Sequence, residues 1–224
     1  IDATAAVATV SLSLGGKVSV AAAAAGTFAT NLIRTDVASE ILRSTVTLGT
    51  GADLDAHDQS TIDAYAGSAA VSAALAPISA GISFAGTFAN NEITNTVRSS
   101  IKEGSVSTQS GNVTAHASSA PEMNVKADAA ALAASIVAVA GAGIGSTAKI
   151  TNTVESFADG AVIKAPEGTV TFDAASRVNV SPVFRNAAGS IGLGAAVSVI
   201  KSEVEIENKT RAYVKRGSLS AKGL

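Results

Sequence analysis

The 224-residue chain contains no cysteine and no tryptophan, and it has one methionine and four prolines. The lack of cysteine excludes the disulfide framework on which small secreted domains often depend, but stacked repeats need no such framework. The lack of tryptophan removes the strongest aromatic platform for holding a sugar. The absence of cysteine is therefore compatible with a long chain built from stacked repeats.

Charged and aromatic residues are also scarce, at 15% and 4% of the chain, and the net charge is −2. A nearly neutral chain gives no indication of nucleic acid or of an acidic membrane surface as a partner. With few large side chains the chain cannot build a thick core. We therefore expect Ala, Gly, Ser, Thr and Val to be buried in closely spaced layers, where backbones approach each other.

One motif occurs four times with variation, and it is clearest in residues 91–101, Asn-Glu-Ile-Thr-Asn-Thr-Val-Arg-Ser-Ser-Ile. Each copy contains an isoleucine, and the spacings between these isoleucines are 60, 57 and 56 residues for Ile33, Ile93, Ile150 and Ile206. A nearly constant period of this length is typical of repeat architectures, which grow by adding units. We predict one repeat array over residues 1–224, with coils at 1–61, 62–122, 123–179 and 180–224, the last of them truncated.

Long uncharged runs rich in Ala, Gly, Ser and Val precede the motifs, as in residues 66–91. Their length and alanine content admit a soluble helix or a membrane span as alternatives. Glycine costs about 1 kcal/mol relative to alanine in a helix interior, and β-branched residues favour strands. The basic flanks and large apolar side chains of membrane spans are absent. We therefore predict strands.

If the motifs are stacked as parallel strands, one parity carries the isoleucines and an asparagine column, Asn95, Asn152 and Asn208, with Thr35 in the first coil. Stacked amides can form a ladder in which each side chain bonds the ones above and below. The opposite parity carries two columns whose charge alternates in sign, Glu92/Lys149/Glu205 and Arg98/Glu155/Arg211. Opposite charges on neighbouring strands support this register.

These patterns predict an all-β fold, a parallel β-solenoid (β-helix) of roughly four wide, flattened coils of about 56–60 residues, with neighbouring coils about 4.8 Å apart. Alanine and glycine are predicted to fill its interior. The alternative is an antiparallel arrangement in which each uncharged run and its motif form a hairpin, with a turn or bulge at Gly26 and Gly86.

Asp53, Asp55 and His57 share one face of a predicted strand, and the spacing places His116 and Asp173 in the column of His57. Carboxylates and imidazoles are normal ligands of divalent ions, so these residues are candidates for a metal site, calcium included. The competing interpretation, which we favour, is a solvated outer strand face. No cofactor is therefore predicted.

Two aromatic pairs follow the repeat. Phe28 and Phe88 are predicted to form a core or corner stack, and Phe157 and Tyr213 to align on the outward parity as a contact surface for a partner. Residues 141–145 are glycine-rich but lack a phosphate-loop lysine, and no Gly-x-Ser-x-Gly elbow is present. Convergent polar groups are not indicated, so we predict that the chain is not an enzyme.

The motif at 91–99, followed by Gly-Ser-Val-Ser-Thr at 104–108 and Gly-Asn-Val-Thr-Ala at 111–115, resembles repeats of leukotoxin-type filamentous adhesins. These are giant bacterial surface proteins related in style to filamentous haemagglutinin. The resemblance covers essentially the whole chain, although Ala148, Val204 and Thr35 replace asparagines of the pattern. It implies a secreted, very long β-solenoid, extracellular or displayed on the bacterial cell surface.

We therefore expect a non-catalytic structural and adhesive stalk segment. The alternatives are a self-assembling extracellular fibre or tube subunit and a β-helical glycan-binding or glycan-cleaving module. Expected partners are neighbouring repeats of the parent chain, identical chains end to end, and a cell-surface receptor or glycan. No nucleic acid and no membrane span are expected. The first residues lack the basic region of a signal peptide. Residues 1–5 instead match residues 62–66, and residues 217–221 match residues 104–108, so we expect both ends to be cut from a longer chain.

Overall fold

The computed structural model describes residues 1–223, and all of the regular elements in that range are β-strands. In chain order the strands are β1 (Asp2–Leu14), β2 (Val18–Leu42), β3 (Thr45–Leu48), β4 (Ala52–Asp58), β5 (Thr61–Leu75), β6 (Ile78–Lys102), β7 (Ser105–Thr108), β8 (Val113–Ser119), β9 (Glu122–Asp159), β10 (Val162–Ser176), β11 (Asn179–Lys215) and β12 (Ser218–Gly223). The prediction that the alanine-rich runs form strands is confirmed, and the helix alternative is wrong. Across residues 1–223 no apolar helix of membrane-spanning length is present.

The strands pair in parallel, each with the strand that follows one repeat later. β1 pairs with β5 and β2 with β6, and both β5 and β6 pair with the long strand β9, which in turn pairs with β11. In this register the Cα partner of Ile33 is Ile93, followed by Ile150 and then Ile206. The smaller sheet, β3-β7-β10-β8-β4 with β12, repeats the same offset pairing.

The antiparallel hairpin alternative is wrong. Gly26 and Gly86 are Cα partners inside the continuous strands β2 and β6, not turn residues. The chain reverses earlier, at residues 15–17 in the first coil and at 76–77 in the second. Glycine and proline stand at these positions, where turn chemistry calls for them.

The interior between the two long strand stacks is thin, because small side chains fill it. Ala70, Ala133 and Ala138 are completely buried in a cluster made almost entirely of alanine. Hydroxyls bridge the facing strands, as where Thr27 Oγ1 donates to the Gly67 carbonyl at 2.6 Å and Ser83 Oγ to the Ala70 carbonyl at 2.7 Å. Short bridges of this kind require facing backbones to lie close together.

The predicted interior of alanine and glycine holds for alanine, but glycine contributes little to it, with Gly81 of β6 as a buried inward position. Alternate residues of a strand point to opposite faces, and Gly26, Gly86, Gly141, Gly143 and Gly145 fall on the outward parity, while their neighbours Ala25, Ala85 and Ala142 are buried. Alanine is the main interior residue of these strands, and glycine marks part of the outer surface.

Larger side chains fill the opposite end of each coil, where the motif halves of β2, β6 and β9 pack against β4, β8 and β10. Ile101, Val106, Val113 and Ile163 are completely buried there. Serines of the motif bond the facing strand, with Ser99 Oγ donating to the Leu54 carbonyl at 2.9 Å and Ser156 Oγ to the Ala115 carbonyl at 2.7 Å. The coils are therefore wide, with an alanine end and an aliphatic end.

Alanine substitutions of two isoleucines in the same column, one in the third coil and one in the last, test this packing. Ile150 is 0% exposed, whereas Ile206, its partner in the last coil, is 50% exposed. We expect Ile150→Ala to lower the free energy of unfolding by about 2–5 kcal/mol, since it removes buried contacts and leaves a cavity. Ile206→Ala should cost clearly less. Urea unfolding followed by circular dichroism measures both, and equal losses would contradict the burial order.

Candidate functional site

The predicted asparagine column is inward-facing, but it bonds mainly across the coil. Asn152 Nδ2 lies 3.3 Å from Asn208 Oδ1, as a ladder requires, and also 2.7 Å from Ser176 Oγ on the facing strand. Asn95 does not bond Asn152; its amide donates to the Asp58 carboxylate. In this column the ladder is therefore present between Asn152 and Asn208, because facing strands offer closer acceptors elsewhere. A second amide bond along the stack joins Asn31 Nδ2 to Asn91 Oδ1 at 2.8 Å.

Asp58 is the centre of this cross-coil network, and the sequence patterns gave it no role. It is 7% exposed, and it accepts hydrogen bonds from Asn95, from Ser60 Oγ at 2.8 Å and from Ser119 Oγ at 3.3 Å. A buried carboxylate needs such donors, because an unpaired one is costly. The network joins β4, β6 and β8, so its role is to fix the corner where one coil passes into the next.

The metal candidates lie on an outer face and do not converge. Asp53, Asp55 and His57 are exposed on alternate positions of β4. Among residues 1–223 no group of three or more His, Asp or Glu side chains is placed to hold a metal ion. Asp53, Asp55 and His57 therefore lie on the exposed outer face of β4.

The predicted histidine column is wrong. Asp55 pairs with His116, and His116 with Asp173, while His57 pairs with Ser118. The offset between partners is 60 residues at β3 and β7, and it becomes 61 at β4 and β8 because the turn holds residues 49–51 in the first coil and 109–112 in the second. His57 and His116 are only 59 residues apart, so the partner of His57 lies two positions beyond His116. His116 Nδ1 then lies 2.9 Å from Asp173 Oδ2.

The residues of the two alternating charge columns are Cα partners, as their sequence spacing predicted, but only some of the neighbours form ion pairs. Lys149 Nζ lies 3.1 Å from Glu205, and Arg211 lies 3.9 Å from Glu155. Arg98 instead bonds both carboxylate oxygens of Asp36 in the first coil at 2.8 Å. Exposed pairs of this kind contribute at most about 1 kcal/mol each, so they support the register more than the stability.

The aromatic pair Phe157 and Tyr213 is stacked, with ring centroids 4.9 Å apart and an angle of 4° between the rings. Phe157 is only 6% exposed, since Tyr213 covers one side and the Lys102 ammonium lies 5.2 Å from its ring centroid. Only the half-buried Tyr213 presents aromatic surface to a partner here.

The prediction that Phe28 and Phe88 form a core or corner stack is wrong. They are 68% and 54% exposed. Phe28 lies five residues before the inward Ile33, which is an odd number and therefore the opposite parity. Phe84 shares this outer face at 52% exposure.

A shallow groove of about 510 Å³ crosses the outer face of β1, β5, β9 and β11, and its central side chain is Tyr65. The Tyr65 hydroxyl donates to Asp128 Oδ2 at 3.1 Å, and this hydrogen bond raises the pKa of the phenol. Arg185 and a floor of alanines complete the groove. A Cβ at Gly67 would lie 2.8 Å from the Tyr65 hydroxyl, so glycine is what lets the ring lie along the strand.

The groove residues come from separate coils, which is why Tyr65 appears isolated in the sequence. The available signal is positional. Tyr65 and Lys126 are partners, as are Gly67 and Asp128, and Asp63 and Asn124 continue the polar surface on the same parity. A ring, carboxylates, amides and cations around a shallow floor can bind hydroxyl-rich or peptide ligands.

The chain has no matching family model, and neither a search of curated proteins nor a search of solved structures found a significant match. Function is therefore argued from the chain's own geometry.

Removing the buried carboxylate tests the cross-coil network. Asp58→Ala leaves the Asn95 amide and two serine hydroxyls without their acceptor, and we expect a loss of about 1–3 kcal/mol in unfolding free energy. Asp55→Ala, three residues earlier on the exposed face of the same strand, should stay within about 0.5 kcal/mol of the parent chain. Chemical denaturation of both variants gives the comparison; an Asp58→Ala variant as stable as Asp55→Ala would refute the assigned role.

Proposed function

We propose that the chain is a β-solenoid and that it serves as a non-catalytic structural and adhesive stalk segment of a large, secreted bacterial surface protein. The observation that carries this is the in-register parallel pairing of whole coils, in which β2, β6, β9 and β11 stack along their length. A stack of this kind extends by adding coils, so its natural output is length and stiffness. The sequence resemblance to filamentous adhesins supports the surface location.

The polar clusters are consistent with a structural role. Asp58, Asn95 and Asn152 use their hydrogen bonds on each other and on neighbouring serines, and they lie inside the coil. A catalytic site needs polar groups that converge on space open to a substrate. These groups converge on each other, which is how a corner is fixed.

The alternative function, a fibre subunit, would depend on the unpaired strand edges at the two ends of the stack. The first and last coils carry strand edges, and open edges can pair with other chains. A stalk segment gives small closed particles of bounded mass, whereas a fibre subunit gives open-ended filaments.

The glycan-binding alternative is favoured by one observation, the Tyr65 groove. Its ring, its Asp128 and Arg185 partners and its alanine floor form a shallow surface suited to a sugar. Within the stalk proposal, this groove is the surface that we assign to adhesion.

Disulfide trapping tests the solenoid register, and the natural absence of cysteine makes it clean. Thr94 and Thr151 are Cα partners. Strand neighbours lie about 4.8 Å apart, which is within the range for a disulfide. Thr94→Cys combined with Thr151→Cys should close under mild oxidation, detected by a mobility shift on a non-reducing gel.

The matched control moves one cysteine by two residues. Thr94→Cys with Thr153→Cys keeps both side chains on the same outer face but separates them by about 8 Å, beyond disulfide reach. If this pair closes as readily as the first, the parallel register and the solenoid built on it are refuted.

Electron microscopy and sedimentation velocity separate stalk from fibre. We expect particles whose mass stays bounded over a wide concentration range, because a stalk segment does not polymerise into open-ended filaments. Filaments that lengthen as concentration rises would overturn the stalk proposal in favour of the fibre subunit.

A glycan array tests the adhesive surface. If the groove binds sugars, the chain should bind at least one immobilised polysaccharide, and Tyr65→Ala should abolish the signal, whereas Asp55→Ala and His57→Ala on the separate outer face should leave it unchanged. Binding that survives Tyr65→Ala removes the groove from the proposal.

A further inference from the structure

The outer side of the long strands carries many exposed apolar side chains along the half that covers the alanine interior, unlike a strand face that is simply solvated. This half consists of the outward residues of 18–28, 78–88, 135–145 and 191–201, four strand segments paired in register, which we call the phenylalanine–glycine face. Its three phenylalanines, Phe28, Phe84 and Phe88, are 68%, 52% and 54% exposed. Val20 and Ile78 extend it at 61% and 67%. A contiguous exposed apolar surface of this extent marks an interaction site.

Charge is nearly missing from this face, although the same strands carry it further along. Residues 18–33, 64–91, 129–148 and 187–200 contain no Asp, Glu, Lys or Arg, and Lys201, the partner of Gly145, is the one charged residue in the face. The charged positions begin just beyond, at Arg34, Glu92 and Lys149. The outer side of each long strand is thus divided into an apolar half and a charged half. The boundary falls at the same position along the strand in successive coils.

The phenylalanine–glycine face has a relief of ridge and trench. Gly26, Gly86 and Gly143 are partners and form an outward column without side chains over three coils, and their partner Val199 ends the column in the fourth. Phe28 and Phe88 form a ridge on one side of this column, and Phe84 stands on the other. A Cβ at Gly143 would meet nothing within 4 Å, so the trench is open to solvent.

The phenylalanine rings also lean over the next coil. A Cβ at Gly141 would lie 2.7 Å from Phe84 Cδ1, and one at Gly145 would lie 2.7 Å from Phe88 Cδ1. These glycines let the rings lie flat, which keeps the ridges low and broad. A low ridge beside an equally long trench is complementary to itself, since a two-fold axis in the interface places each ridge in the partner's trench.

The area fits a dimer. At about 3.3 Å per residue the face is about 36 Å long, and four strands about 4.8 Å apart make it about 19 Å wide. Two such faces bury about 1,300 Å² together, within the range of about 1,200–2,000 Å² for stable specific interfaces. A lipid surface fits less well, because interfacial binding draws on a rim rich in Lys and Arg, and the rim here mixes both signs, as at Glu92 and Lys149.

We propose that the phenylalanine–glycine face is the contact through which two copies of this chain associate side by side. This lateral contact is separate from the coil ends that a fibre would use, and it would tie neighbouring stalks together.

Sedimentation equilibrium of the unaltered chain and of designed variants tests the contact. We expect the unaltered chain to dimerise and Phe84→Asp combined with Phe88→Asp to be monomeric, since charges would be desolvated in the interface. Thr151→Asp with Thr153→Asp, on the outward parity of the charged half, is the matched control and should remain dimeric. Circular dichroism melts should show that all of the variants fold.

A second variant separates shape from apolarity. Gly143→Leu adds apolar surface and fills the trench, and its Cβ would meet no atom of the chain within 4 Å. Ridge-in-trench packing predicts a rise of about tenfold or more in the dimer dissociation constant, whereas non-specific hydrophobic association predicts tighter dimers.

Four results would overturn the inference. The first is an unaltered chain that is monomeric at every concentration, and the second is a dimer that survives the Phe84 and Phe88 changes or tightens with Gly143→Leu. The third is open-ended filaments that are insensitive to these substitutions, and the fourth is a monomer that binds phosphatidylcholine vesicles through this face. The first leaves the stalk proposal standing. The third contradicts the stalk as well, so the two failures are distinguishable.

Discussion

The backbone hydrogen bonds between successive coils are the constraint on which the rest of the structure depends. Each long strand bonds the equivalent strand one repeat away, so the residue at any position has its counterpart directly above or below. Like residues then stack into columns, and a column tolerates drift in one coil if its neighbours are kept. The extra residue in the second coil's turn shifts the pairing of β4 with β8 but leaves β2 and β6 in register. Turns absorb variation that strands do not.

The thin interior follows from this constraint together with the composition. Facing strands must approach closely because alanine and serine leave little to fill the gap, and close approach brings carbonyls within reach of hydroxyls. Thr27, Ser83, Ser99 and Ser156 each donate to a carbonyl of the facing strand. These hydroxyls are polar groups that a thicker apolar core would have to exclude. Here they join one side of the coil to the other.

The outer surface is divided into a charged part and an apolar part at the same place where the interior changes from large aliphatic side chains to alanine. At the aliphatic end of the coil the outer positions carry ion pairs such as Lys149–Glu205, and at the alanine end they carry Phe84, Phe88 and glycine. The proposed stalk uses the interior for stiffness. The proposed adhesive groove at Tyr65 and the proposed lateral contact use different outer faces, on opposite sides of the flattened coil, so neither blocks the other.

The sequence by itself determined the strand class of the uncharged runs, since their glycines and β-branched residues oppose helix. Its period also identified stacking partners such as Ile93 and Ile150, because parallel in-register pairing turns sequence spacing directly into contact. Only the tertiary structure decided which residues meet across the coil. The bond between Asp58 and Asn95 depends on where the chain reverses, and no period encodes that. The partner of His57 depends on the offset between strands, to which the turn adds one residue, and the groove at Tyr65 is built from side chains contributed by separate coils. Neighbours along the stack are a matter of repeat length, whereas neighbours across it depend on turn lengths and strand ends, which local patterns leave open.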